Sequence, residues 1–430
     1  MTAAPAPAER ERRVSRPTVG ADLRFVAVRI AGCLLALGMS CAFYGAIRLS
    51  WADYLAHRES ASQVQGALQL APGNAGYWLH WADLLEAEGG SARVGVERAA
   101  HVDPYDAAVW IRAGIEAESR GDYTRAEQNL LRAAERSRQY APRWALANYY
   151  FRRDDAAHFW PWARSAMGMA YGSLDLLFDL CWRMRPDPAE ILDRGIPDNP
   201  NVLRDYLGFL LNTHRLEAAT AAAERLAAHA SPQNRDVLLS YIGLMLEKAH
   251  WAEAISAWNA LCTRGILPYA PLDPAHGSLV TNGAFVDELL DAGFDWHLVP
   301  ARGIFVAHSD VPPSLRFDFD GNQPEGLPLM YQFVPVEPLR RYTLRSEYQT
   351  EGISGGTGLQ WRVSKAPEGA DIPLERTFLS ADEWTSATRT FTVPEGISMV
   401  RVSLVYERQP GTVRIEGSLR LKNVSLEKHP

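Results

Sequence analysis

The chain has 430 residues, enough at roughly 100–200 residues per domain for two to four domains with real cores. Hydrophobic residues at 47% and charged residues at 22% match globular averages and exclude wholesale disorder or a collagen-like repeat. A net charge of −7 argues against nucleic acid as a partner, which calls for a basic surface, and four cysteines without a CxxC exclude a disulfide scaffold, a zinc ribbon and a thioredoxin-like dithiol.

Residues 1–24 are rich in Ala, Pro and Arg, without apolar periodicity, and read as a disordered cytoplasmic tail. From Phe25 to Ile47 the chain is apolar except for Arg29, and about 20 such residues suffice to cross a bilayer as a helix. A transmembrane helix is expected over 25–48. Arg10, Arg12, Arg13, Arg16 and Arg24 precede it, which places the N-terminus in the cytoplasm of a bacterial inner-membrane protein and the bulk in the periplasm or outside. The alternative is a cleaved signal, since Ser40-Cys41-Ala42 has the small-x-small pattern of a cleavage site.

From residue 50 to 267 the sequence is Ala/Leu/Arg/Glu-rich with helical spacing and an internal repeat. Pro72 and Pro104 are 32 residues apart, as are Trp78 and Trp110, and Trp144 follows 34 later. In the clearest unit, Asp106 to Glu135, the residues Trp110, Gly114, Gly121, Tyr123, Ala126, Leu130 and Ala133 put aromatic, small and turn residues where paired helices need them. This pattern resembles the tetratricopeptide repeat and implies an α-solenoid of stacked hairpins presenting a surface to a protein partner. Leu207-Gly208 and Ile242-Gly243 suggest a second pair of hairpins, and the register is poor between Arg152 and Asn201. Trp78, Trp110 and Trp144 are expected to pack between helices, whereas Trp81, Trp160 and Trp162 are freer to line a surface.

Three prolines between Ile266 and Pro274 forbid helix and central strand alike, so a linker is expected over 268–277. From 278 to 430 short alternating runs replace helical spacing. Strands are predicted at Leu315–Phe319, Leu329–Val334, Tyr342–Gln349, Leu359–Val363, Thr388–Val393, Met399–Tyr406, Thr412–Ile415 and Ser418–Leu426, the pattern of a two-sheet sandwich. The order of landmarks resembles the galactose-binding-like jelly roll of carbohydrate-binding modules. Asn282-Gly283-Ala284-Phe285 opens the domain, and Asp295-Trp296, Tyr331-Gln332, Trp384 and a last strand through Val424 follow. Many relatives hold a structural calcium with an acidic residue after the opening motif and an Asp in the closing strand. Here Val286 and Asn423 stand there, with Asp287 as the residue that could substitute; no metal site and no cofactor is expected.

Alternation puts Arg345 and Glu347, Gln360 and Arg362, Arg401, and Arg414 on polar faces. If their strands share a sheet, Gln332, Arg345, Glu347, Gln360, Arg362 and Arg401 form an arginine-rich surface suited to an anionic polysaccharide, because the guanidinium fork matches carboxylates. The competing reading is a solvated face of cross-strand ion pairs.

No HExxH, GxSxG or phosphate loop occurs. Asp318 and Asp320 share a strand face without a supporting motif, so no enzyme is expected. The composite expectation is a multidomain α plus all-β chain: transmembrane helix, tetratricopeptide-like α-solenoid, C-terminal β-sandwich. Its expected role is that of a non-catalytic membrane-anchored envelope scaffold in bacterial surface polysaccharide assembly or export. The alternatives are an adaptor whose sandwich caps the solenoid and binds no sugar, and a cryptic glycan-processing enzyme.

Overall fold

The computed structural model describes residues 19–274, 279–353, 358–375 and 377–429. Most of the expected tail and residues 275–277 of the expected linker lie outside them. Packing divides the chain into two compact units, one ending at Tyr149 and the other beginning at Tyr150.

The first unit opens with α1 (Val19–Ala56), longer at both ends than the predicted span. Val26–Ala56 is long and apolar enough to cross a membrane; its apolar stretch is exposed, and Ala52 and Ala56 near its end are buried. Arg48 donates to the carbonyl of Leu70 at 2.7 Å, which ties the end of α1 to α2 (Ala61–Leu70). Two hairpins follow, α3 (Ala75–Ala87) with α4 (Arg93–Val102) and α5 (Ala107–Ser119) with α6 (Tyr123–Arg136). The side chains of Asn74, Asp106 and Asp122 cap α3, α5 and α6 by accepting first-turn amides, the ordinary remedy for unpaired N–H groups. The 32-residue spacing has a direct cause: the Trp78 indole donates to the Pro72 carbonyl and the Trp110 indole to the Pro104 carbonyl, both at 2.9 Å. Each tryptophan locks its hairpin to the turn before it. Gly114 is needed for close approach, because a Cβ there would lie 2.6 Å from Leu130 Cγ.

The boundary between units falls within α7 (Tyr140–Arg152). The second unit continues with α8 (Ala156–Met167), α9 (Asp175–Met184), the short α10 (Pro188–Glu190) and a π-helical turn at Ile191–Gly195. This is where the repeat register fails in the sequence. Trp160 is buried with its indole donating to Glu190 at 2.8 Å, which removes it as a surface residue. Regular hairpins resume with α11 (Pro200–Asn212) and α12 (Leu216–Ala227), then α13 (Arg235–Glu247) and α14 (Trp251–Thr263). Unlike Gly114, Gly208 and Gly243 face open space.

Ten antiparallel strands follow among the described residues: β1 (His297–Leu298), β2 (Ile304–Asp310), β3 (Pro313–Asp320), β4 (Leu327–Pro335), β5 (Arg341–Glu351), β6 (Leu359–Lys365), β7 (Asp371–Ile372), β8 (Thr385–Thr392), β9 (Met399–Tyr406) and β10 (Glu416–Lys428). They form two five-stranded sheets, β1-β4-β9-β6-β7 and β2-β3-β10-β5-β8. Trp296, Phe317, Tyr342, Trp361, Val402 and Leu419 are among the residues that fill the space between them. Burial of each such side chain contributes about 1.5–3 kcal/mol. The run at Thr412–Ile415 forms no strand, and β1, β2 and β7 were not foreseen.

The helices and the sandwich of the second unit meet at one aromatic joint. Trp258 of α14 stacks on Tyr269 with centroids 5.8 Å apart and meets Phe294 edge-on at 5.7 Å. Gly293, with φ +63, lets the backbone lie flat on the indole, where a Cβ would come within 2.6 Å of Trp258 Cζ3.

Candidate functional site

The exterior of the first sheet is built by register. β4 pairs Tyr331 with Ser403 and Phe333 with Arg401 of β9, and β9 in turn pairs Ser403 with Arg362 and Val405 with Gln360 of β6. Directly paired antiparallel residues point to one side, so Tyr331, Phe333, Arg401, Arg362 and Gln360 share this face. The Arg401 guanidinium lies 3.8 Å from the Tyr331 ring centroid. Tyr331 also stacks on His297 at 4.8 Å and meets Phe333 edge-on. Arg401 is only 17% exposed, with an exposed Glu368 at 3.9 Å, and its Nε is buried without a hydrogen-bond partner among the described residues. Burial raises the Tyr331 phenol pKa, Arg401 opposes this, and the carboxylates of Asp291, Glu368 and Glu247 reinforce it.

Beside this corner, Gln360 and Arg362 both donate to Glu407 Oε2, at 3.0 and 2.8 Å. Asp371 lies 3.5 Å from Arg362 Nε. These residues line a cavity of about 240 Å³ with Pro373 and Leu374. The face offers an aromatic corner and two arginine groups, one of them with an unused N–H. The two guanidinium groups can donate charge-assisted hydrogen bonds, whereas the Tyr331 ring is already covered by Arg401 and His297.

The premise of a single arginine-rich sheet is corrected. Arg345 and Glu347 lie on β5, which pairs with β8 and β10 in the second sheet, so they occupy the opposite exterior of the sandwich. There Glu347 accepts from Asn423 at 2.9 Å and pairs with Lys422 at 3.3 Å; the Asn423 bond, then Lys422, holds its carboxyl below the usual range. Arg414 lies outside any strand, 3.7 Å from Glu325. Gln332 points inward. It is fully buried, donates to the Thr281 carbonyl at 2.8 Å and accepts from the Thr281 amide at 3.0 Å, which ties the opening segment to β4. Strand polarity had marked these residues, but pairing partners decide sheet membership and cannot be read from one strand alone. Tyr331 and Phe333 were missed as site residues; alternation through β4 was the available signal.

The paired aspartates do not form a reactive dyad. Arg316 Nε donates to both carboxylate oxygens of Asp318, at 2.8 and 3.1 Å, and Asp320 accepts the Asn322 amide at 2.8 Å. Among the described residues no group of three His, Cys, Asp or Glu side chains could hold a metal ion. In the helical part of the second unit, a groove of about 420 Å³ runs between α12 and α14 over Tyr241, with Ala223, Ala227 and Ala257 in its wall and Glu224 and Glu253 among its lining.

No family model and no curated protein matches the chain. Solved structures do. A structure described as "CBM4 structure and function" has 12% identity over 35% of this chain and 99% of its own, with a TM-score of 0.29. YrrB, described as a TPR protein with an unusual peptide-binding site, has 13% identity over 48% of this chain and 94% of its own, at 0.23. PilF of Pseudomonas aeruginosa has 17% identity over 53% of this chain and 91% of its own, at 0.24. The helical hairpins are tetratricopeptide-like and the two-sheet sandwich is carbohydrate-binding-module-like, behind one N-terminal apolar helix.

Proposed function

We propose that the protein is a non-catalytic, membrane-anchored envelope scaffold. In this reading α1 holds it in the bacterial inner membrane with residues 25–48 in the bilayer and the N-terminus cytoplasmic. The helical hairpins bind a protein partner, and the sandwich binds an anionic polysaccharide during surface polysaccharide assembly or export. The observation that carries the glycan reading is Arg401 set over Tyr331, beside Arg362, with its Nη1 facing, among the described residues, only an exposed Glu368 at 3.9 Å. A ligand carboxylate in place of Glu368 would accept a charge-assisted hydrogen bond there. The full chain in detergent should be retained on immobilised uronic-acid polysaccharide and pass through a neutral glucan. Equal passage through both would contradict the reading.

A second reading, the structural adaptor, is favoured by the Trp258–Tyr269–Phe294 joint, which fastens the sandwich to the last hairpin as a cap would be fastened. Pull-down of a membrane protein by the chain, without any polysaccharide retention, would favour it.

A further inference from the structure

The sandwich has four edges, and three are blunted. β1 and β7 are two residues long, and β8 is an edge of Thr and Ser with Arg389 at its middle. Short edge strands and charged edges are common protections against strand addition. β2 has neither. It runs Ile-Phe-Val-Ala-His-Ser-Asp over Ile304–Asp310 and pairs with β3 at all seven positions without a register shift. Phe305 is 65% exposed and Val311, at the hairpin tip, 90%. Even Val306, which shares its face with the core residue Phe317 of β3, is 38% exposed. No backbone hydrogen bond on the open side of Phe305–Asp310 occurs among the described residues.

We propose that β2 is an interface between two copies of this chain, paired antiparallel about a two-fold axis at Ala307. An edge's unpaired amides and carbonyls are a template for another strand, and over Phe305–Asp310, beyond the Ile304 amide held by the Ala301 carbonyl, this strand can pair with its own copy. Full overlap places Phe305 opposite Ser309 and Val306 opposite His308. The single carboxylate, Asp310, falls at each end opposite Ile304, so no like charges meet. The neighbouring strand adds no repulsion, because Arg316 and Asp318 neutralise each other. The result is an isologous contact that continues the second sheet across the axis. A seven-residue strand pair buries well under the roughly 1,000 Å² expected of a stable interface. The dimer is therefore weak in dilute solution and gains from confinement of both copies to one bilayer, a clause that rests on the anchoring proposed above.

The test is crosslinking of the full chain in liposomes, in a Cys33→Ser, Cys41→Ser background, with a short bismaleimide. Ala307→Cys should give a covalent dimer at least five-fold above Thr388→Cys on β8, and adding Phe305→Lys to Ala307→Cys should reduce it at least five-fold. No dimer from Ala307→Cys, or equal yields at both edges, would overturn the proposal. Vesicle flotation reads anchoring separately. If the chain does not float, the same crosslinking at high concentration in detergent decides on the edge alone, with the same two outcomes.

Discussion

The hydroxyl of Tyr269 donates to the buried carboxylate of Asp295 at 2.9 Å, and the amide of Leu290 donates to the same oxygen at 2.6 Å. Tyr269 follows α14, and Asp295 precedes β1, so this bond pins helices and sandwich of the second unit at one point. Asp295 is fully buried, and burial raises its pKa. Burial, then the Asp295 charge, also raises the Tyr269 phenol. Tyr269→Phe removes a donor from a buried carboxyl and should cost roughly 1–3 kcal/mol, read by urea unfolding of the full chain.

The same site predicts a pH dependence. The folded state holds the Asp295 proton more tightly than the unfolded chain does. Its stabilising contribution is full below the ordinary carboxyl pKa of about 4 and is lost as pH rises through the elevated folded value. Asp295→Asn should flatten that part of the stability curve, and an unchanged slope would show that Asp295 ionises normally.

Glycine substitutions should split by surroundings. Gly114→Ala drives a methyl into Leu130, and Gly293→Ala drives one into Trp258 at positive φ; each should destabilise by about 1–3 kcal/mol. Gly208→Ala and Gly243→Ala, on helices with open space around them, should stabilise by roughly 0.5–1 kcal/mol. Thermal melts of the four variants check the sign of each.

Orientation is tested with a membrane-impermeant maleimide on intact cells, in the background lacking Cys33 and Cys41. Thr388→Cys should label directly and Arg10→Cys only after lysis. The reverse pattern would place the sandwich in the cytoplasm.

Much of the fold was legible in local patterns. The Pro72/Trp78 and Pro104/Trp110 spacings marked real hydrogen-bonded units, and alternation in β5 and β6 separated inward Tyr342, Leu344 and Trp361 from outward Arg345 and Arg362. What local signals could not give was partnership. Arg345 and Arg362 read alike along their strands, yet long-range pairing sends them to opposite sheets. Gln332 read as a polar site residue because its partner, the Thr281 backbone, is 51 residues away. The two-residue strands β1 and β7 carry no periodicity to read, and β2 is ordered by its neighbour β3 rather than by a buried face of its own.

In the proposed function the Tyr331/Arg401/Arg362 face, and not the opposite sheet, takes an anionic glycan. Titration of the full chain in detergent with a uronic-acid oligosaccharide tests it most directly. Arg401→Ala and Arg362→Ala should each weaken binding at least ten-fold, the loss of about 1.4 kcal/mol, while Arg345→Ala leaves the Kd unchanged. Binding that survives the first two substitutions, or is lost only with Arg345→Ala, would place the glycan elsewhere.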